Sequence, residues 1–348
     1  MNFHYTDHLK KLERPSLSED IHSTFIRLDR NEAPFSAFDI VEGIINQSEL
    51  KTLNKYPDLY SVYCTISNDI RLDVDQIVIT HGSEQGIRYV FDSFLDYNDD
   101  IVYLDPSYAM LDVYAHLNKA NVKKIFFDKS RHIHLDEILR SINNTTKLFV
   151  LANPNNPTGS CFKYEDIQKI CAHTKKYNCI FLLDEAYFYY YEIESIKLLN
   201  KFDNLIITRS FSKAWGMAGA RVGVLLSNKK IISLLWKQKP MHEINYMSLN
   251  LLEKIYPYKD LIIQSNVTQV NKWKETFKKK NFKNLKYLET EGNFILLKSF
   301  YYKNHINTLK ENKILPKMNF DTPCLHDCLR FSVSNDFVME KLMSVLDS

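Results

Sequence analysis

Between about residues 75 and 226, short runs of β-branched and aromatic residues alternate with stretches of helical character, and this alternation restricts the possible folds more than any other feature. The runs cover residues 77–80, 101–104, 124–127, 148–152, 180–184, 205–208 and 223–226. Parallel neighbours need long crossovers and both sheet faces must be covered, so the pattern predicts an α/β fold on a mainly parallel, seven-stranded sheet flanked by helices. Polar or Gly-containing segments follow several runs directly: His81-Gly82-Ser83-Glu84, residues 153–159, Asp184-Glu185-Ala186-Tyr187, and residues 210–213. Ligands of open α/β sheets gather at the carboxyl ends of strands. The four segments are therefore expected to converge on one edge.

Beyond about residue 235 longer helical stretches take over, with strands expected at 294–297 and 329–333, which predicts a smaller α+β domain. A single core stops growing at about 250–300 residues, so 348 residues predict two lobes with a cleft. The expected division is an arm or small-domain segment at 1–35, a large domain at 36–235 and a small domain at 236–348. The net charge of +3 offers nothing for nucleic-acid binding. Seven lysines fall within residues 272–286, interleaved with Trp273, Phe277 and Phe282 as in an amphipathic surface helix. Six scattered cysteines without CxxC pairs, no secretory leader and no spanning apolar run predict a reducing cytoplasm and no membrane partner. No metal is expected, because Cys324, His326 and Cys328 lack a second ligand cluster.

Four segments carry chemistry. Lys213 lies among Ser210 and Ser212, with Arg221 eight residues on. A lysine near an arginine can have the lowered pKa that condensation with an aldehyde needs. Gly82-Ser83-Glu84-Gln85-Gly86, between a strand and a helix, suits a phosphate cradle of backbone N–H groups. Asp184 closes a buried strand and needs a partner, which a protonated ring nitrogen would supply. The Asn153-Pro154-Asn155-Asn156-Pro157-Thr158-Gly159 segment reads alone as a turn.

Together these motifs resemble fold-type I pyridoxal-phosphate aminotransferases, through the S-x-S-K-x-x-x-x-x-G-x-R pattern at Ser210 to Arg221 and the N-P-x-N-P-T-G pattern at 153–159. The resemblance implies pyridoxal 5'-phosphate as cofactor and Lys213 as the catalytic lysine, which forms an imine with it and shuttles a proton between Cα and C4'. Ser83, Glu84, Ser210, Ser212 and Arg221 are then expected around the phosphate. Asp184 would pair with the ring nitrogen, Asn156 and Tyr187 with the ring oxygen, and Tyr108 would stack on the ring. Tyr56, in Lys55-Tyr56-Pro57-Asp58, matches a tyrosine that reaches the neighbouring subunit's phosphate, which implies a homodimer with composite sites. Arg330 sits where the family grips the substrate α-carboxylate with a bidentate guanidinium.

Arg30-Asn31-Glu32-Ala33-Pro34 and Gly-Ser-Glu-Gln-Gly are most similar to the histidinol-phosphate aminotransferase branch. Where that branch carries a Val-Arg type pair, this chain has Pro316 and Lys317, and a lysine meets a phosphate as a point charge without a fork. The implied reaction moves an amino group, with glutamate as donor, to or from a small phosphorylated oxo or amine substrate. Decarboxylation of a phosphorylated amino acid uses the same apparatus and stands as the alternative. Ser210-Phe211-Ser212-Lys213 also fits the S-x-x-K motif of acyl-enzyme hydrolases, but S-D-N and K-T-G do not accompany it. A non-catalytic relative would not need Lys213.

Overall fold

A computed structural model describes residues 24–41 and 53–347. Strand β1 (Ile26–Leu28) comes first. Next are β2 (Ile77–Thr80), β3 (Asp100–Asp105), β4 (Asn121–Phe126), β5 (Thr146–Ala152), β6 (Ile180–Asp184), β7 (Leu205–Ser210) and β8 (Gly223–Leu226). They form one sheet in the order β2-β8-β7-β6-β5-β3-β4, in which β8 is antiparallel to both neighbours and the other pairs are parallel. All seven expected strands are present. Their side chains alternate between two cores: Ile79, Phe149, Leu151, Phe181, Leu183 and Ile207 pack on one face, and Val78, Val150, Leu182 and Ile206 on the other. Helices cover both faces, which is why these strands read as continuous apolar runs.

The C-terminal part adds β9 (Leu285–Leu288), β10 (Phe294–Ser299), β11 (Ile314–Pro316) and β12 (Cys328–Ser332). An antiparallel sheet has the order β12-β10-β9, and β1 pairs in parallel with β11. Leu28 therefore packs in a third core with Val270, Trp273, Phe331 and Leu342, far from it in sequence. Residues 1–23 of the expected arm lie outside the described residues.

The lysine-rich stretch is a helix only in its first half. The helix Lys259–Lys279 ends at the extended Lys280, and β9 begins at Leu285. Phe282 still packs on Phe277 with ring centroids 5.7 Å apart, so both aromatics serve one core from different elements. Among the described residues no helix is long and apolar enough to cross a membrane.

Candidate active site

Strand register brings the site together. Ala152 pairs with Asp184, Asp184 with Thr208, and Gly223 with both Ser210 and Thr80, so five strands present these residues at one level. The loops that follow β2, β5, β6 and β7 enclose a cavity of about 520 Å³. Of the residues singled out in the sequence, Ser83, Glu84, Tyr108, Asn156, Asp184, Tyr187, Ser210, Ser212, Lys213, Arg221 and Arg330 line it.

At one end β2 runs into the helix Gly82–Phe94, whose first turn lines the cavity with Ser83 and Glu84. Gly82 has φ +75°, and a Cβ there would lie 2.7 Å from Arg221 Nη2. A Cβ on Gly223 would lie 2.3 Å from the Ser83 nitrogen. Only glycines allow this close approach of helix, strand and guanidinium. Arg221 Nη1 donates to Ser212 Oγ at 3.5 Å, its Nη2 lies 3.7 Å from Glu84 Oε2, and the Ser212 N–H donates to Ser210 Oγ at 3.0 Å. Tyr114 OH donates to Glu84 Oε1 at 3.2 Å, so Glu84 links Arg221 to the next helix.

Lys213 Nζ donates to the carbonyl oxygens of Asn31 at 2.9 Å and Arg30 at 3.1 Å. Burial first, then the charges of Arg330 and Arg221, lower its pKa from 10.5 to about 8, against the opposing pull of Glu32 and Asp184. Asp184, buried at the end of β6, is raised to about 6, mainly by burial and then by Glu185, while the Ala186 N–H donating to Oδ1 at 3.0 Å favours the charge. Arg330 projects from β12, donating from Nη2 to the Asp29 carbonyl at 2.6 Å and from Nη1 to Asn156 Oδ1. With Oδ1 so engaged, the Asn156 amide has its N–H groups left to donate.

Two residues stand apart. Tyr56 is 76% exposed, stacked on His242 with centroids 3.9 Å apart. Lys317 is exposed and does not line the cavity, although its backbone exchanges two 2.9 Å hydrogen bonds with Arg330. Conversely, Arg30 and Asn31 line the cavity without having been assigned a role from the sequence. Asn31 Nδ2 donates to Tyr187 OH at 2.9 Å, and its N–H donates to Ser332 Oγ at 2.7 Å. The missed signal was their place in the Arg30 to Pro34 segment, which carried the resemblance but no chemistry by itself.

A model of the aminotransferase class I and II family matches residues 25–254. The chain belongs to this family. This aminotransferase is 31% identical over 340 residues to the histidinol-phosphate aminotransferase of Flavobacterium psychrophilum, covering 94% of this chain and 91% of the relative. The crystal structure of histidinol-phosphate aminotransferase from Sinorhizobium meliloti in complex with pyridoxal-5'-phosphate superposes with TM-score 0.81 at 19% identity, covering 99% of this chain and 96% of that one. The L-threonine-O-3-phosphate decarboxylase of Porphyromonas gingivalis shares the fold, with TM-score 0.75 at 15% identity and coverage of 92% and 98%. Fold-type I architecture and dependence on pyridoxal phosphate go with the family. The residues present fit that cofactor: a glycine-lined cradle beside Arg221, a lysine of lowered pKa, and a buried carboxylate. Arg330 Nε and Asn31 Oδ1 are also buried without a hydrogen-bond partner among the described residues.

Proposed function

We propose that this aminotransferase exchanges an amino group between glutamate and a small phosphorylated oxo or amine compound, as a histidinol-phosphate aminotransferase does. The observation that carries this reading is the placement of the Lys213 amine, at a pKa of about 8, in one cavity with Arg330, Asp184 and Arg221. Bound pyridoxal phosphate supplies an aldehyde and a ring that withdraws electrons from the substrate Cα.

The chain's own residues do the rest. The Ser83 and Glu84 N–H groups, Ser210, Ser212 and Arg221 hold the phosphate. Asp184 keeps the ring nitrogen protonated, an arrangement favoured because each buried charge then gains a partner. Tyr108 covers one ring face, and the Asn156 amide and Tyr187 hydroxyl hold the ring oxygen. Arg330 grips the α-carboxylate, which orients the Cα–H bond towards Lys213. The Lys213 amine, neutral at mildly alkaline pH, would take that proton from Cα and deliver it to C4' of the bound cofactor. Lys317 lies outside this lining set, with its backbone paired to that of Arg330.

We further propose a cytoplasmic homodimer in which Tyr56 reaches across to the other subunit's phosphate. Its exposure, beside the exposed Tyr60 and Met241, supports a role at a subunit contact. The test of the function is the absorbance of the protein with pyridoxal phosphate, before and after glutamate, beside Lys213→Ala. A band that requires Lys213 and that glutamate converts to the pyridoxamine form is the expected result. No Lys213-dependent band would overturn the proposal. A band unmoved by glutamate, with carbon dioxide released from a phosphorylated amino acid, would assign decarboxylation instead.

A further inference from the structure

In the function proposed above, the Asn156 amide and the Tyr187 hydroxyl hold the cofactor's ring oxygen, and each is backed by a second residue. Arg330 Nη1 donates to Asn156 Oδ1, which leaves the Asn156 N–H groups to donate. Tyr187 is backed by Asn31, whose Nδ2 donates to the Tyr187 hydroxyl oxygen at 2.9 Å. We infer that Asn31 is a positioning residue: by taking the acceptor side of the Tyr187 oxygen, it directs the hydroxyl hydrogen to the cofactor's ring oxygen. This inference rests on the aminotransferase reading and deepens it, since that reading gave Asn31 no task.

A phenol oxygen both accepts and donates, and accepting one hydrogen bond strengthens the one it makes in turn. The Tyr187 ring is buried and set edge-on to Phe294, with centroids 6.0 Å apart, and among the described residues Asn31 is the hydrogen-bond partner of its hydroxyl. Burial pushes the phenol up, so its hydrogen stays on the oxygen, while Arg330 and the Asn31 amide pull it back down. Both Asn31 and Tyr187 line the cavity. Asn31 is itself buried, and its main chain is fixed independently of its amide. The N–H donates to Ser332 Oγ at 2.7 Å, and the carbonyl accepts from Asn293 Nδ2 and from Lys213 Nζ, each at 2.9 Å. Its φ of +52° lies in the left-handed region, which Asn and Gly enter with least strain. One residue therefore holds the Lys213 amine through its carbonyl and the Tyr187 hydroxyl through its amide.

A hydrogen bond from Tyr187 draws negative charge off the ring oxygen, and a less negative oxygen holds the proton on the Lys213 nitrogen beside it less firmly. The readout is therefore the pH midpoint of the Lys213-dependent absorbance band in protein loaded with pyridoxal phosphate, with no substrate added. Asn31→Gly suits the left-handed backbone and removes the amide alone. Arg330, Arg221, Glu32 and Asp184, the charged groups that act on Lys213, are untouched by it. The midpoint is expected to rise by about half a unit, as for the loss of one neutral hydrogen bond, and to move far less when Asn31→Gly is combined with Tyr187→Phe. Asn31→Asp retains the shape but would accept the Tyr187 hydrogen, so it should raise the midpoint more alone than in the Tyr187→Phe background. If circular dichroism shows that Asn31→Gly does not fold, this second comparison decides. A midpoint unchanged or lowered, or an equal rise with and without the Tyr187 hydroxyl, overturns the inference while leaving the aminotransferase reading intact. Absence of the Lys213-dependent band from the wild type would defeat that reading, and the role of Asn31 with it.

Discussion

Asp184 shows how a buried residue of the cavity lining works against stability. Its folded pKa of about 6 exceeds the ordinary 3.8, so the folded chain holds an extra proton between those values and apoprotein stability falls as pH rises through them. At neutral pH the full cost of an ionised, buried carboxylate remains, about 3 kcal/mol for a shift of this size. Asp184→Asn is therefore expected to stabilise the apoprotein against urea at neutral pH by about 1–3 kcal/mol, with the gain vanishing near pH 4, while cofactor affinity drops. Lys213 has the opposite sign. With its pKa lowered from 10.5 to about 8, its amine becomes free base well below the usual lysine range, so capture of pyridoxal phosphate is expected to accelerate up to about pH 8 and then level off. Stopped-flow absorbance reads this, and Arg330→Met should move the inflection upward, since Arg330 is the leading charge holding the amine down. Lys213, Asp184 and Arg221 were legible in the sequence because each lies in a short local motif whose spacing a strand end imposes. Arg30 and Asn31 were not, because their partners Lys213, Tyr187 and Ser332 are remote in sequence and no local pattern announces the contact.

Neighbouring strands β6 and β7 are clasped just beneath the site by Glu185 and Arg209, whose Nε donates to Oε2 at 2.9 Å with both side chains largely buried. Burial pushes the Glu185 carboxyl up and Arg209 pulls it down, so Arg209→Met would leave an uncompensated buried charge and is expected to cost about 3–5 kcal/mol. Denaturant unfolding of the apoprotein should show most of that loss recovered in the Glu185→Gln, Arg209→Met double variant. Gly223→Ala tests the other junction, where a Cβ 2.3 Å from the Ser83 nitrogen must push the helix Gly82–Phe94 off β8. Cofactor affinity should fall, as read by equilibrium titration, with the circular dichroism of the helices kept. Most large-sheet strands were readable because burial on both faces makes them continuously apolar, the exception being the edge strand β4, which carries Lys123 and Lys124 and is largely exposed. Strand β9 was hidden by Lys286 and the surrounding lysines, and the amphipathic pattern ran past the true helix end because Phe282 joins the core from the following connection.

For the whole molecule, the proposed dimer predicts sedimentation at twice the chain mass, and Tyr56→Ala should weaken cofactor binding without separating the subunits. Strands β10 and β12 were foreseeable from the change of pattern beyond residue 235, but the pairing of β1 with β11 was not, since a three-residue strand carries too little periodicity to name its partner. The segment around β1 has a further consequence for how the protein reaches its active form. Asp29 and Asn31 meet Arg330 and Ser332 across a sequence separation of 301 residues. Contacts of such long range follow chain closure rather than lead it. During refolding, helical circular dichroism should therefore recover before the chain acquires the power to bind succinate at Arg330, so that an early collapsed species has its helices but does not yet recognise an acid.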